Sequence, residues 1–345
     1  MSRARSIQKP VTLKEVAAAA GVHPSTVSRA LSASTRHLVA DDVAARVAAA
    51  AAGLGYRPDP VAASLRTGRS HMVGVLVPDI ANPVFSPILG GIAEALSGHG
   101  YSTIVADAGN DRARQIELAE SLMARRVDGL VLATVARDDP VVARCLERDL
   151  PVVLVNRAEA NARVSAVVSD DMAGMALAVD HLVALGHHAI GHLAGPQQIS
   201  TGHLRRRGFI AAMAAHALPC GDDTIETAAS YSRDDGTAAA RILLDRRPDL
   251  TAVAVANDLL ALGLYDVLHE RGLSCPADLS VVGHNDMPLV DMVAPPLTTV
   301  RIGHREMGQE AAQLLMRAIN REAGARLNIV LSPTLMVRKS TARPR

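Results

Sequence analysis

The stretch from Val11 to Leu31, VTLKEVAAAAGVHPSTVSRAL, constrains this chain more than any other. Thr12 and Glu15 form a Thr-x-x-Glu capping box, in which hydroxyl and carboxylate each satisfy a backbone N–H left open at a helix start. Leu13, Val16, Ala17 and Ala20 recur at helical spacing and give one apolar face. Gly21 tolerates the left-handed backbone of a sharp helix exit, and Pro24 presets the first turn of a second helix. Val27, Ala30 and Leu31 supply that helix with a buried stripe, while Ser25, Thr26, Ser28 and Arg29 make a polar face without a carboxylate. Such a face suits a helix that enters a DNA major groove. An ordinary helical hairpin with a solvated polar face would satisfy the same pattern.

Charge distribution separates this region from the rest. Residues 1–70 hold ten Lys/Arg against four Asp/Glu, whereas the remainder holds 26 against 31, so a net charge of +1 conceals a basic head on an acidic body. The head alone is expected to meet a polyanion. Cys145, Cys220 and Cys275 have neither disulfide nor zinc spacing and read as reduced thiols. No apolar run is long enough for a bilayer, and the N-terminus lacks a signal-peptide core. The expectation is a cytoplasmic protein with no membrane partner.

Taken in order, residues 1–10 read as a mobile basic arm and 11–57 as a headpiece. The headpiece's third helix, Asp41 to Leu54, is expected to turn Val43, Val47, Ala50 and Leu54 inward. In the preceding loop, Arg36 and His37 are candidates for phosphate contact. Residues 58–71 read as a hinge helix and linker, with Asp59 as N-cap and Pro60 at the first helical position. Val61 to Leu65 is too short to be a stable helix alone and needs a partner to order it. From Met72 to residue 341 apolar strands alternate with helices, beginning MVGVLV, STIVADA, DGLVLAT, PVVLVNR and SAVVSDD, then HHAIGHLAG, TIETAAS, TAVAVAND and LSVVGHND. Two successive α/β units of parallel, doubly wound type imply a two-lobed binding body with a cleft between its lobes.

These residues together resemble the LacI/GalR (lactose-repressor/galactose-repressor) family of transcriptional regulators. The matching stretches are VTLKEVAAAAGVHPSTVSRAL, LGYRPDPVAASLRTGRS, VGVLVPDIANPVF, HLVALGHHAIGHLAGP, VANDLLALGLYDVL, LSVVGHND, PPLTTVRIGHREMG and LMVRKSTARP, in that order. The resemblance implies a helix–turn–helix headpiece, a hinge helix and a periplasmic-binding-protein-like core. Its N-lobe would comprise about 72–170 and 299–329, and its C-lobe about 171–298 and 330–341. It also implies a homodimer on pseudo-palindromic double-stranded operator DNA, acting as a repressor under a small-molecule effector, by expectation a sugar, with no cofactor or metal.

Residue by residue, the family pattern places Pro24 and Ser25 at the main base-reading positions and Arg29 at a third. Thr26 and Ser28 fall on phosphate-contacting positions. Leu65 matches the hinge leucine that wedges into the minor groove; an apolar anchor between headpiece and core is its other reading. Phe85, Arg205, Tyr231, Asn257 and Asn285 fall on effector-pocket positions, which lie at the carboxyl ends of strands where such sheets bind ligands. A loop cap for Asn257 and a surface salt bridge for Arg205 are the alternatives. The chain departs from the pattern at His23 and Ala40, where the family has serine caps, and at Ala63 in the hinge. It departs again at His284 and Asn285, which are expected to alter the pocket's donors.

Other functions find little support in the sequence. No G-x-G-x-x-G follows the first strand, and neither a phosphate loop nor a G-x-S-x-G elbow occurs, so no enzyme is expected. His187, His188 and His192 lie together, with alternation expected to turn His188 and His192 to one face, but no Cys or carboxylate sits beside them. An exported-type sugar-binding protein would use the core alone, and a nucleobase-responsive, corepressor-dependent regulator would use the whole chain.

Overall fold

The structure, a computed structural model, describes residues 11–32, 35–57 and 68–345. The chain divides into two compact units, Met1–Ser70 and His71–Arg345. The expected arm, the hinge helix with Leu65, and Ala63 lie outside the described residues.

The first unit contains α1 (Leu13–Ala20), α2 (Pro24–Ala30) and α3 (Asp41–Leu54). Both halves of the capping box form: the Thr12 N–H donates to Glu15 Oε2 at 2.6 Å, and the Glu15 N–H donates to Thr12 Oγ1 at 3.4 Å. Gly21, at φ 66°, ends α1 in the left-handed conformation. His23 does not weaken the start of α2: its Nδ1 accepts the Ser25 N–H at 3.2 Å and replaces the serine cap. Ala40 leaves α3 without a side-chain cap.

The apolar face of α3 is rotated from the expected one. Ala44, Val47 and Ala51 are buried, Val43 and Ala50 are half-buried, and Leu54 is 42 % exposed. Alanines crowd this helix, so only Val47 strongly marks its inner side, and packing against Val16 and Val27 chose the register. Arg36 is engaged within the headpiece, donating to the Val39 carbonyl and pairing with Asp41 at 2.7 Å.

The second unit runs β1 (Met72–Val77), α4 (Phe85–Gly98), β2 (Ser102–Asp107), α5 (Arg112–Ala124), β3 (Gly129–Leu132), α6 (Pro140–Glu147), β4 (Val152–Val155) and β5 (Ala166–Ser169). It continues through α7 (Asp171–Ala184), β6 (Ile190–Ala194), α8 (Ser200–Ala215), β7 (Ile225–Thr227), α9 (Arg233–Arg246), β8 (Ala252–Val255), α10 (Asp258–Glu270) and β9 (Ser280–Asn285). The last elements are β10 (Thr298–Arg301), α11 (His304–Ile319), β11 (Asn328–Leu331) and β12 (Thr334–Met336). One sheet has the order β11-β5-β4-β3-β1-β2 and the other β12-β10-β9-β8-β6-β7. Every pairing is parallel except β10 with β12.

The sheets therefore repeat one topology, reversing direction around β1 in the first and around β6 in the second. Their central strands are apolar on both faces because helices cover both sides. The chain changes sheets three times, and two of these crossings differ from the expected lobe limits. β10 lies wholly in the second sheet and β11 wholly in the first, so neither is cut at 298/299 or 329/330. The pairings of β10 with β9 and of β11 with β5 hold each strand together as a unit.

Helices α4 and α11 approach backbone to backbone. A Cβ on Gly308 would lie 2.2 Å from the Ile88 carbonyl oxygen, and one on Gly91 would lie 2.3 Å from that of Arg305. Gly98, at the end of α4, has nothing within 4 Å. Gly308→Ala is therefore expected to destabilise by about 1–3 kcal/mol through overpacking. Gly98→Ala should be neutral or stabilise by up to about 1 kcal/mol. Urea unfolding of both variants checks the contrast.

Candidate functional site

The exposed side of α2 is the first candidate surface. Ser25 and Arg29 are exposed, and Pro24, Thr26 and Ser28 are half-buried, with Val27 between them turned into the core. The Ser25 hydroxyl lies 2.8 Å from His23 Nδ1, so the cap also positions this side chain. The Arg29 guanidinium forms no ion pair with a described residue, and its backbone carbonyl accepts from the Thr35 hydroxyl at 3.1 Å. The short helix thus presents hydroxyls and a cation, with no acid in its first turn.

The second candidate is a cleft at the carboxyl ends of both sheets. It opens to solvent, with about 520 Å³ of free space in and at its mouth, and is lined by all five expected pocket residues: Phe85, Arg205, Tyr231, Asn257 and Asn285. The placement follows from topology, since strands to either side of a reversal point leave their ends open to a ligand.

Arg205, on α8, is only 2 % exposed. Its Nε donates to Asp171 Oδ1 at 2.7 Å and its Nη1 to the Ala256 carbonyl at 2.6 Å. Burial is the largest influence and works against the guanidinium, but Asp171, Tyr231 and Asp258 together outweigh it and the net shift is upward. The surface salt bridge considered from sequence is instead a buried ion pair. Arg205 Cζ lies 6.0 Å from the centre of the Tyr231 ring. Gly195 makes room for that ring, because a Cβ there would stand 2.3 Å from its Cζ.

The two asparagines differ. Asn257 caps α10, its Oδ1 accepting the Leu260 N–H at 2.8 Å, so the loop-cap role and a place in the cleft coexist. Asn285 has φ 114°, in the left-handed region, and its buried Oδ1 has no hydrogen-bond partner among the described residues. Strain and an open acceptor at one residue are features of a binding position.

His284 does not line the cleft. It is fully buried beneath it, with Nε2 3.7 Å from Asp171 and both ring nitrogens lacking hydrogen bonds among the described residues. Burial holds its pKa well below the usual range, so it is a neutral ring and leaves the cleft's donors unchanged. Strand alternation separates it from Asn285. His188 and His192 likewise do not share a face: His188 precedes β6 and is exposed, whereas His192 is buried and stacks on Phe209 at 4.7 Å. His187 bonds to Thr251 and Ala342 and anchors the C-terminal segment.

Sequence reasoning missed several lining residues, including Asn82, Asn110, Asn156, Arg157, Thr201 and Ser232. Asn156 and Arg157 directly follow β4, Asn82, Asn110 and Ser232 lie in the loops after β1, β2 and β7, and Thr201 is in the first turn of α8. Arg157 stands out. It is 5 % exposed, its Nη1 reaches the Thr134 carbonyl only at 3.4 Å, and its Nε has no partner among the described residues. Burial draws its pKa down to about 10, Tyr231 opposes this, and the nearby Arg205 guanidinium draws in the same direction as burial.

Comparison with known proteins covers both units. "Bacterial regulatory proteins, lacI family" matches residues 12–59, and "Periplasmic binding proteins and sugar binding domain of LacI family" matches residues 70–337. The transcriptional regulator CelR of Thermobifida fusca is 34 % identical over 95 % of this chain and 98 % of its own. The ribose operon repressor of Escherichia coli is 31 % identical over 95 % of this chain and 99 % of its own. The structure of the lac repressor dimer bound to operator and the anti-inducer ONPF superposes with TM-score 0.84 at 29 % identity, covering 97 % of this chain and all of that one. A CelR–cellobiose complex gives TM-score 0.73 at 33 % identity, over 96 % of this chain and 99 % of that one.

Removing one member of the buried pair strands the other. Arg205→Ala is expected to cost about 3–5 kcal/mol, and replacing both Arg205 and Asp171 by apolar residues should recover most of it. A double-mutant cycle in urea checks this. Asp258, fully buried beside Asn257, accepts from the Thr299 hydroxyl at 2.5 Å and the Met287 N–H at 2.8 Å. Burial nevertheless pushes its carboxyl up to about 7. The group holds its proton more tightly folded than in the unfolded chain, where its pKa is about 3.9. Its contribution to stability is thus complete below that value and is lost as pH rises through about 7. Unfolding across this window should show the decline in the native protein and a flatter profile in Asp258→Asn.

Proposed function

The chain belongs to the LacI family of bacterial regulatory proteins, and we propose that it is a transcriptional repressor whose operator affinity is governed by a sugar or sugar derivative bound in the cleft of its core. The observation that carries this reading is that one chain holds both parts. A carboxylate-free recognition face on α2 and a polar cleft at the ends of two sheets both lie within a match spanning nearly all of a sugar-operon repressor. In this reading the headpiece argues against an exported binding protein, and the protein would act on DNA in the cytoplasm. Among the described residues, no helix is long and apolar enough to cross a membrane.

In this reading Pro24, Ser25 and Arg29 read bases, and Thr26 and Ser28 grip phosphate. Arginine is suited to the bidentate edge of guanine, whereas small hydroxyls contact the backbone without sequence preference. One α2 offers few side chains, so specificity calls for a homodimer on a pseudo-palindrome. Leu289 and Met292, 68 % and 77 % exposed on the core, are apolar surface of the kind an interface uses. Leu65, acting as a minor-groove wedge, would couple the effector to DNA bending.

Phe85, Arg205, Tyr231, Asn257 and Asn285 would hold the effector. Two aromatic rings give limited apolar platform, and the remaining groups favour a hydroxyl-rich molecule. Binding-site selection followed by footprinting, with and without a panel of sugars, tests the proposal. A palindromic site released or tightened by one sugar is the expected result. Arg29→Ala should lose about 1–3 kcal/mol at one base pair per half-site, and Thr26→Ala should weaken all sequences alike. A uniform loss in both variants would remove Arg29 from the base edge.

A further inference from the structure

The cleft does not end at the five effector positions. An outer space of about 860 Å³, in and at its mouth, adjoins the first and shares Asn110, Arg157, Ser230 and Tyr231 with it. Both sheets contribute to this outer space. Thr134 and Ala136 lie in the loop after β3, Gln198 and Ile199 in the loop after β6, and Ala229 in the loop after β7. The inner space, with about 520 Å³, is the smaller of the two. A ligand confined to the five positions would leave the larger part to solvent.

The outer walls are tied together. The Gln198 carbonyl accepts the Arg137 N–H at 3.2 Å, and the Ser200 hydroxyl accepts the Ala158 N–H at 3.0 Å. These bonds fasten the segment after β6 to loops of the first sheet. Buried Asp139 accepts the N–H groups of Ala136 at 3.0 Å and Val141 at 2.9 Å, which fixes the loop that carries Thr134. Thr134 is 8 % exposed, and its hydroxyl has no hydrogen-bond partner among the described residues. A buried hydroxyl left without a partner costs free energy that a ligand's own hydroxyl can recover. The charged residues of this lining are two of each sign, Asp111 and Asp139 with Arg112 and Arg157, so it calls for no net charge on the ligand. Ile199, Ala136 and Ala229 add small apolar surfaces between the polar groups. A sugar ring, with hydroxyls at its edge and C–H groups on its faces, complements such a mixture.

We propose that the effector is a disaccharide or longer saccharide, with one ring against Arg205, Asn257 and Asn285 and the next in the outer space beside Thr134 and Gln198. This rests on the reading of the cleft as a sugar site, and it deepens that reading by naming the ligand's length. Ser230 and Tyr231 border both spaces, so the link between the rings would pass beside them. A single ring on the inner residues would not reach Thr134, which borders the outer space alone. A nucleoside is also long enough for both spaces, but its base would find only one aromatic ring, Tyr231, in the outer lining. The other residues there are small or polar and give a flat base no second face to stack on.

The test uses the full chain and calorimetry. Glucose, galactose and ribose are compared with cellobiose, maltose and lactose, and adenosine serves as a base-bearing probe. The expected result is that one disaccharide binds at least about tenfold tighter than its own monosaccharide. Two substitutions then act on the outer space, since neither residue borders the inner one. Ala229→Phe, at an exposed position, fills the outer space and should bring the disaccharide down to its monosaccharide's affinity. Thr134→Val removes the open hydroxyl at nearly constant shape and should cost the disaccharide a smaller part of its advantage. Circular dichroism with a cooperative thermal transition shows that each variant is folded, and either variant alone suffices if the other is not. A monosaccharide binding as tightly as every disaccharide, or a disaccharide advantage untouched by substitution, would overturn the extended effector and leave the sugar-responsive repressor standing. Adenosine binding tighter than every saccharide, or no probe bound at all, would defeat the sugar reading and this inference with it.

Discussion

A guanidinium that is 2 % exposed obliges its surroundings to meet it, and around Arg205 they do. Asp171 opens α7, Arg205 sits in the second turn of α8, and Ala256 follows β8. Two bonds of 2.7 and 2.6 Å gather these three elements at one point. In a low-dielectric interior such a pair adds little net stability, yet breaking it is severe, so it holds geometry more than it supplies energy. The cleft's second-sheet side is built on this point. Tyr231 lies over the guanidinium, Gly195 admits its ring, and Asn257 is the residue next to Ala256.

The headpiece works under a different constraint. Its core is Val16, Val27 and Val47 with a few alanines, which buries far less apolar surface than the sheets of the second unit. A small domain gains little from its interior, so its ends carry a larger share of its stability. That is where the chain concentrates local devices: the Thr12–Glu15 box, the His23 cap, and left-handed Gly21 and Gly55. His23 also fixes the Ser25 hydroxyl, so the residue that starts α2 helps set the surface α2 presents.

Much of this was legible in the chain. The two helices around Gly21 and the alternating strands of the core could be assigned from residue order, and the five cleft residues through resemblance to the family. The helices and strands rest on short-range chemistry: a cap reaches three residues along, and a strand's burial appears as an apolar run. The misreadings share a physical cause. Alanine-rich α3 carries too weak a pattern to set its own face, so Ala44 and Ala51 replaced Ala50 and Leu54 as its inner side. His284 and Asn285 are neighbours in sequence, but only the packing of β9 determined that one would lie beneath the cleft and the other in it.

Sequence by itself determined the local grammar of this protein: where helices start and stop, which segments are strands, that a basic recognition element precedes an α/β body, and which family it resembles. Tertiary structure decided the charge balance. Arg157 and Arg205 are both arginines on polar-looking segments, and nothing near either in the chain tells them apart. Asp171 stands 34 residues from Arg205 and reaches it only because α7 and α8 pack side by side. Among the described residues no carboxylate arrives at Arg157 in the same way. Whether a charge is paired depends on contacts between distant elements, and a one-dimensional pattern does not contain that information.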